Sequence, residues 1–443
     1  MSVLDQYFQL KARGSSVSRE ARGAVATFMT MAYILFLNPQ ILAAAGVPQQ
    51  SAVACTAAAA GLCCILMGLM SNLPIAVASG MGLNAIVAFQ ISAAAGSWQT
   101  AMGIVVLDGL LILLLVLIGL REAVMEAIPV DLRRAIGAGI GLFVAFIGLV
   151  NAQIVIVPPG TVAVLGKDPT QVLPPVTFGS LAHLPTAVAV IGLVFTAFLA
   201  ARRVTGALVL GILGTTALAL ALGVSRLPSS FSAPSFEAAL QADVLGALSL
   251  KYVPLLLSLM MVDFFDTLGT ATAIAEQADL KDERGKIPGL RGLLVVDSLS
   301  ASIGGLFGAS SVTSYIESAA GVAEGARTGL HTVFVGILFL LAIFAAPIAG
   351  IVPAAATAPA LILVGFLMVA QMVKIDFEEL ETAIPAFVTL IAVPLTYSIS
   401  HGIGYGFITY TAMKLLGGKF REVHPLMYVT SAAFAAYFIW GAA

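Results

Sequence analysis

Residues 260–272 read MMVDFFDTLGTAT. The stretch lies in an apolar run over 251–275, long enough to cross a hydrocarbon core of about 30 Å, yet it carries Asp263 and Asp266. An ionised acid at the centre of a bilayer disfavours insertion by about 2.5–3.5 kcal/mol. Such a residue faces a cavity or a partner, and function is the default explanation for it. The two acids are three apart and so occupy neighbouring positions on one helical face, which Thr267 and Thr270 extend.

The surrounding chain is of the same kind. Of 443 residues, 60% are hydrophobic and 10% charged, where a soluble protein carries about a quarter charged. Mean hydropathy is +1.03. Apolar runs recur over 23–43, 52–70, 73–95, 101–120, 134–152, 184–200 and 203–223. After a Ser-, Pro- and Ala-rich loop (224–249), a second set covers 251–275, 290–308, 309–324, 328–346, 354–373, 384–399 and 401–417. The expected fold is an all-α polytopic membrane protein of fourteen transmembrane segments. A last run, 425–440, is either a further crossing or an interfacial helix.

The positive-inside rule tests this count. Fourteen crossings put Lys11, Arg13, Arg19, Arg22, Arg121, Arg133, Arg134, Arg202 and Arg203 on one side. Lys281, Arg284, Lys286, Arg291, Arg327, Lys374, Lys414, Lys419 and Arg421 join them, which is 18 of the 21 Lys and Arg residues. Only Lys167, Arg226 and Lys251 fall opposite. One missed crossing near the middle would scramble the split. The basic side is cytoplasmic, and with it the N-terminus.

Other classes find no support. Residues 1–22 show no cleavable signal pattern and read as a short amphipathic cytoplasmic lead-in. Cys55, Cys63 and Cys64 share one apolar run and form no disulfide framework. His183, His331, His401 and His424 lack ligand spacing, and HExxH and GxxxxGK[ST] are absent, so no metal, cofactor, catalytic residue or nucleic-acid partner is expected.

The halves resemble each other. IPVDLRRAIGAGIGLFVAFIGLV (128–150) and VPAAATAPALILVGFLMVAQM (352–372) share a Pro-led pattern of small, then aliphatic residues. LPTAVAVIGLVFTAFLAARRVTGALVLGIL (184–213) likewise echoes IPAFVTLIAVPLTYSISHGIGYGFITYTAM (384–413). Seven crossings per half is odd, so the second repeat (250–417) is inverted relative to the first (23–223), with 418–443 left as a C-terminal segment. Inverted repeats are a recurring transporter architecture whose site lies near the midplane, marked by broken segments at matching positions. The third segment of each half is broken: LPIAVASGMGLNAIVAF (73–89) carries Gly80, Gly82 and Asn84, and FGASSVTSYIESAAGVAEG (307–325) carries Gly308 and Glu317. Isolated glycines in bilayers usually serve helix packing. Two clusters in register, each with a polar side chain, point instead to backbone lining a cavity. Asp108, Asp297 and Glu317 are further acids inside crossings. For Asp108 and Asp297, packing and site roles both stand. An acid in such a chamber can take up a proton and release it when the cavity opens to the other side, so Asp266, Glu317 and Asp263 are the candidates for proton coupling.

The segments GMGLNA, VDFFDTLGT, TSYIESAAGVAEGARTGL, TFMTMAYILFLNP and AIGAGIGLFVAFIGL resemble the AzgA-type purine permeases, a branch of the nucleobase–cation symporter-2 (nucleobase/ascorbate) superfamily, and the likeness covers nearly the whole chain. It implies two inverted sevens split into a core (23–120 and 250–346) and a gate (128–223 and 352–417), with short strands in the third and tenth segments. It also implies a purine base (adenine, guanine or hypoxanthine) held between those segments and facing Asp266 and Glu317. Tyr315 and Ile316 would offer backbone groups and Asn84 a polar contact. Uracil-type relatives carry a histidine four residues after the eighth-segment acid; here Thr270 stands there. The resemblance implies import coupled to protons, with sodium left open, in the inner (plasma) membrane, as a homodimer in lipid. Phe265 or Phe89 is a candidate stacking face. Two rivals remain: an anion carrier of the same fold, against which the acids argue, and a membrane enzyme built on a carboxylate pair, which lacks a nucleophile or metal ligands at suitable spacing.

Overall fold

The computed structural model describes residues 3–119, 128–158, 160–161, 164, 176–227, 233–280, 287–346 and 351–440. Arg121, Lys167, Lys281, Arg284 and Lys286 lie outside them. The chain opens with α1 (Val3–Phe8) and a first segment in two pieces, α2 (Val17–Met31) and α3 (Ile34–Ala43). The second segment is α4 (Gln49–Ser71). The third is a strand, β1 (Val77–Ser79), followed by α5 (Met81–Ile86), a π turn (Val87–Ile91) and α6 (Ser92–Ala95). Next come α7 (Trp98–Leu117), α8 (Val130–Asn151), a small hairpin of β2 (Val155–Ile156) and β3 (Thr177–Phe178), α9 (Leu184–Ala201) and α10 (Ala207–Ala221).

The second half follows with a short α11 (Val244–Ala247), then α12 (Val253–Gln277) and α13 (Leu290–Leu306). The tenth segment is β4 (Val312–Ser314) with α14 (Ser318–Ala323), and α15 (Gly329–Ala342), α16 (Ala354–Val369), α17 (Leu380–Leu395) and α18 (Ile399–Leu416) complete the set. A final α19 covers Pro425–Trp440. Among the described residues seven helices are long and apolar enough to cross a membrane by themselves, and shorter apolar helices supply further segments.

Helix ends follow local chemistry. Ser16, Ser97, Thr328 and Ser398 each accept a backbone N–H of the first turn of the helix they precede. Gly96, at φ +72°, ends α6 in the left-handed conformation that glycine adopts without strain.

Packing repeats by sevens. The fourth segment, α7, packs on the ninth, α13, and the eleventh, α15, packs on the second, α4. In the other group α8 packs on α16, α8 on α17 as α16 on α9, and α9 on α10 as α17 on α18. Advancing every segment by seven maps these pairs onto one another. The equivalent strands β1 and β4 pair antiparallel, Val77 with Ser314, Ala78 with Thr313 and Ser79 with Val312, as inversion of the second half requires. Segments one to four therefore associate chiefly with eight to eleven, and five to seven with twelve to fourteen.

The loop before α12 lies over one end of the first group. The Leu240 N–H donates to Leu306 O at 2.6 Å, Asp243 N–H to Gln99 O at 2.9 Å and Ala238 N–H to Ser51 Oγ at 2.8 Å. The run over 425–440 is not laid across the opposite end. α19 runs antiparallel along α18, with Thr411 against Ser431 (2.8 Å), Phe407 against Phe434 and His401 against Phe438. It is oriented as a crossing.

Candidate functional site

The strand pair is the scaffold of the site. Its ladder extends past both ends, because Gly80 N–H donates to Ser311 O and Tyr315 N–H to Ala76 O, each at 2.9 Å. A side chain on Gly80 would collide with Thr313 and Leu83, and one on Gly82 with Ile140 of α8. Glycine therefore lets the third segment approach both the opposite strand and the second helix group. Gly308 has another reason to be glycine: it sits in the turn after α13 at φ +68°, against Ala238. Short strands at this depth are admissible because their polar backbone is paired and buried in protein.

Asp266 and Glu317 both keep accessible surface, and the segments that carry them are in contact. Asp266 is exposed at its surface although protein surrounds it. Its helix is not lipid-facing, since α12 packs against α5, α7, α8, α13, β4, α14, α18 and α19. An exposed acid on so enclosed a helix lines a chamber. Glu317 begins α14 and is half-buried, and Ile316 beside it is 49% exposed. Glu317, Asp263 and Asp297 all lie within electrostatic reach of Asp266.

Asp263, Asp297 and Asp108 are buried. Asp263 is 1% exposed and accepts from the Ser311 hydroxyl at 2.8 Å. Asp297 accepts from the Thr267 hydroxyl (2.5 Å) and from the Ser314 N–H (3.1 Å) and hydroxyl (2.9 Å), so it fastens α12, α13 and β4 together. Asp108 is fully buried in α7.

Asn84 is fully buried on α5, and neither its amide nitrogen nor its amide oxygen has a hydrogen-bond partner among the described residues. One donor and one acceptor are thus held ready for a group that brings both. Tyr315 differs from the expectation placed on it. Its N–H is spent on Ala76, its carbonyl accepts from Ser318, and its hydroxyl donates to Ser79 O at 2.5 Å. The backbone of Tyr315 is structural, because the ladder uses it. Phe89 meets Tyr397 and Phe143 edge-on, at 5.4 and 6.3 Å between ring centres. The side chain of Phe265 lies outside the described residues.

The two helix groups are tied by hydrogen bonds at one end. Gln40 Nε2 donates to Val352 O at 3.3 Å, and Gln40 Oε1 accepts from the Thr357 hydroxyl. Gln90 Oε1 accepts from the Ser400 N–H (3.3 Å) and hydroxyl (3.0 Å). Toward the other end, exposed positions run down α12 from Asp266 through Gly269 and Ala273 to Glu276 and Gln277, one helical face. Ala323 and Glu324 are exposed on the facing tenth segment.

A family profile described as "Permease family" matches residues 19–405. The chain belongs to this permease family. The Guanine/hypoxanthine permease PbuG of Bacillus subtilis (strain 168) is 40% identical over 450 residues, covering 98% of this chain and 99% of that protein. The Adenine permease AdeP of Escherichia coli (strain K12) is 38% identical over 435 residues, covering 98% and 95%. Among solved structures, the transmembrane domain of the cyanobacterial bicarbonate transporter BicA has a TM-score of 0.59 at 16% identity, over 90% of this chain and 96% of that one. SLC26A9 has a TM-score of 0.64 at 11% identity, over 94% and 66%. At such identities the likeness shows the fold alone, and that fold is the inverted seven-plus-seven arrangement. The permease is a multi-pass membrane protein and a transporter rather than an enzyme.

Reading of the sequence missed one partner of Glu317. The Tyr33 hydroxyl donates to Glu317 Oε1 at 2.6 Å, and the Thr30 hydroxyl reaches Glu317 O at 3.4 Å. Tyr33 stands at the break between α2 and α3, in TFMTMAYILFLNP. An interrupted helix was the available signal, but a tyrosine in an apolar run draws no notice by itself.

Proposed function

We propose that the chain is a secondary active transporter that imports a purine nucleobase, adenine, guanine or hypoxanthine, coupled to protons. What supports the reading is a pair of acids with accessible surface on touching segments, Asp266 of the second half's first segment and Glu317 of its broken segment, together with the buried, unpartnered amide of Asn84 on the matching broken segment. A purine base is flat, mostly uncharged at neutral pH, and edged with N–H donors and ring-nitrogen acceptors. Carboxylates accept from the donors, and an amide serves both kinds of group. The named adenine and guanine/hypoxanthine permeases match this chain from end to end, which supports a purine as cargo.

The core comprises 23–120 and 250–346, and the gate 128–223 and 352–417. Gln40 and Gln90 join them at the extracytoplasmic end, and the exposed face of α12 opens to the cytoplasmic end, where the basic residues and the N-terminus lie. On this reading the transporter stands inward-open in the inner (plasma) membrane. Asp266 and Glu317 bind the base and exchange the proton, with Tyr33 holding Glu317 in place. Asp263 adds its charge to the cluster from behind, and Ile316 contributes backbone at the opening. The BicA and SLC26A9 likeness invites an anion as cargo, but acids on both sides of the chamber repel one.

Uptake of labelled hypoxanthine, challenged with unlabelled adenine, guanine, xanthine and uracil with and without a protonophore, tests the reading. Competition by purines but not uracil, and collapse with the protonophore, are expected. Indifference to every purine would remove the proposed cargo.

A further inference from the structure

Among the described residues, neither packing nor backbone conformation explains Gly269. It lies inside α12 with ordinary helical φ, where glycine is about 1 kcal/mol less favourable than alanine. In bilayers that cost is usually offset because glycine lets helices approach closely. Other glycines of the long helices do this: Gly61 rests on Gly336 and Leu340, Gly141 on Gly365, and Gly305 on Met102. A methyl group on Gly269 would meet no described atom within 4 Å, and the residue is exposed. The open space is not lipid, because α12 is enclosed by the helices around it. It is the stretch of chamber one turn beyond Asp266 toward the cytoplasmic end.

We infer that Gly269 is a clearance residue: its missing side chain keeps open the passage by which a flat heteroaromatic base moves between Asp266 and the cytoplasm. The inference rests on the transport reading above and adds a position that contributes no contact of its own. The residue sets the width available to a planar cargo at the point where it leaves the acids. A small side chain narrows the route slightly, and a branched one closes it. Ala273, on the same face one turn further, continues the unobstructed path.

The test uses the full chain in membrane vesicles of both orientations. Cys55, Cys63 and Cys64 are buried, so a membrane-impermeant maleimide reports on a Gly269→Cys variant alone. Labelling is expected in inside-out vesicles, slowed by saturating hypoxanthine or adenine. Gly269→Ala should keep most uptake, whereas Gly269→Leu should lower it by about tenfold or more at matched folded yield. Because the leucine variant can fail to fold, a second arm modifies folded Gly269→Cys protein with the maleimide, which must then stop transport. Transport at the parent rate after that modification, or in Gly269→Leu, would overturn the inference, as would a residue 269 inaccessible from both sides. If the parent carries no purine but the Gly269→Cys variant is labelled from inside, the cargo is at fault and the passage stands.

Discussion

Asp263 and Asp266 lie one turn apart on α12, with the same side chain in opposite surroundings. Asp263 is closed in by protein and held by Ser311, on the side where the strands cross. Asp266 stands exposed, at the proposed chamber shared with Glu317 and Ile316. The difference arises from azimuth alone. Residues three apart are displaced by about 60° around a helix of 3.6 residues per turn, enough here to put one acid behind the scaffold and the other in front of it. Position 267 adds a third environment, where Thr267 is bound to Asp297 and 3.0 Å from the Thr313 hydroxyl. One helix thus carries the proposed transport chemistry on one side and fastening on the other.

The comparison breaks most visibly at the chamber. Asp266→Asn and Glu317→Gln are each expected to abolish purine uptake, by about 100-fold or more, while membrane expression is unchanged. Wild-type uptake in both would show that the exposed side carries no chemistry. Tyr33→Phe removes a hydrogen bond donated to Glu317 and should lower uptake by about tenfold. Its pH–rate profile should shift as well, which loss of packing alone would not produce.

On the fastening side, the readout should move from transport to stability. Asp297→Ala strands the Thr267 and Ser314 donors in the interior and should destabilise by about 3 kcal/mol, seen as a lower melting temperature and folded yield in detergent. Asp263→Asn keeps an acceptor for Ser311 and should cost about 1 kcal/mol, with uptake largely retained. Loss of uptake as complete as in Asp266→Asn would erase the contrast between the two acids. The smallest effect is expected at the exposed ion pair near the end of α18. There Lys419 Nζ sits 2.7 Å from Glu381 Oε1, and Lys419→Gln should leave uptake unchanged because solvent screens such pairs.

How far the sequence carried the reading depends on the range of the physics involved. The crossings were legible because hydropathy is summed over neighbours, and α4, α7, α8, α9, α12 and α16 fall where apolar runs predict them. The broken third and tenth segments were legible from glycines beside Asn84 and from serines beside Glu317. The bond between Tyr33 and Glu317 was not, since it joins residues 284 apart. Nor was the anchoring of Asp297, whose partners come from α12 and β4. The strand ladder that occupies Tyr315 needs residue 76 of the other half, which no local pattern announces.

By itself the sequence determined that this chain lives in lipid, that its second half mirrors the first, and that acids persist where they are costly. Each of these is a local free energy, transfer of a side chain or a run of side chains out of water, and so is written residue by residue. Tertiary structure alone decided which acid meets the chamber, which are bound into the scaffold, and that α19 lies lengthwise beside α18. Those outcomes depend on helix azimuth and on partners hundreds of residues away, which are set only when the two inverted halves close on each other.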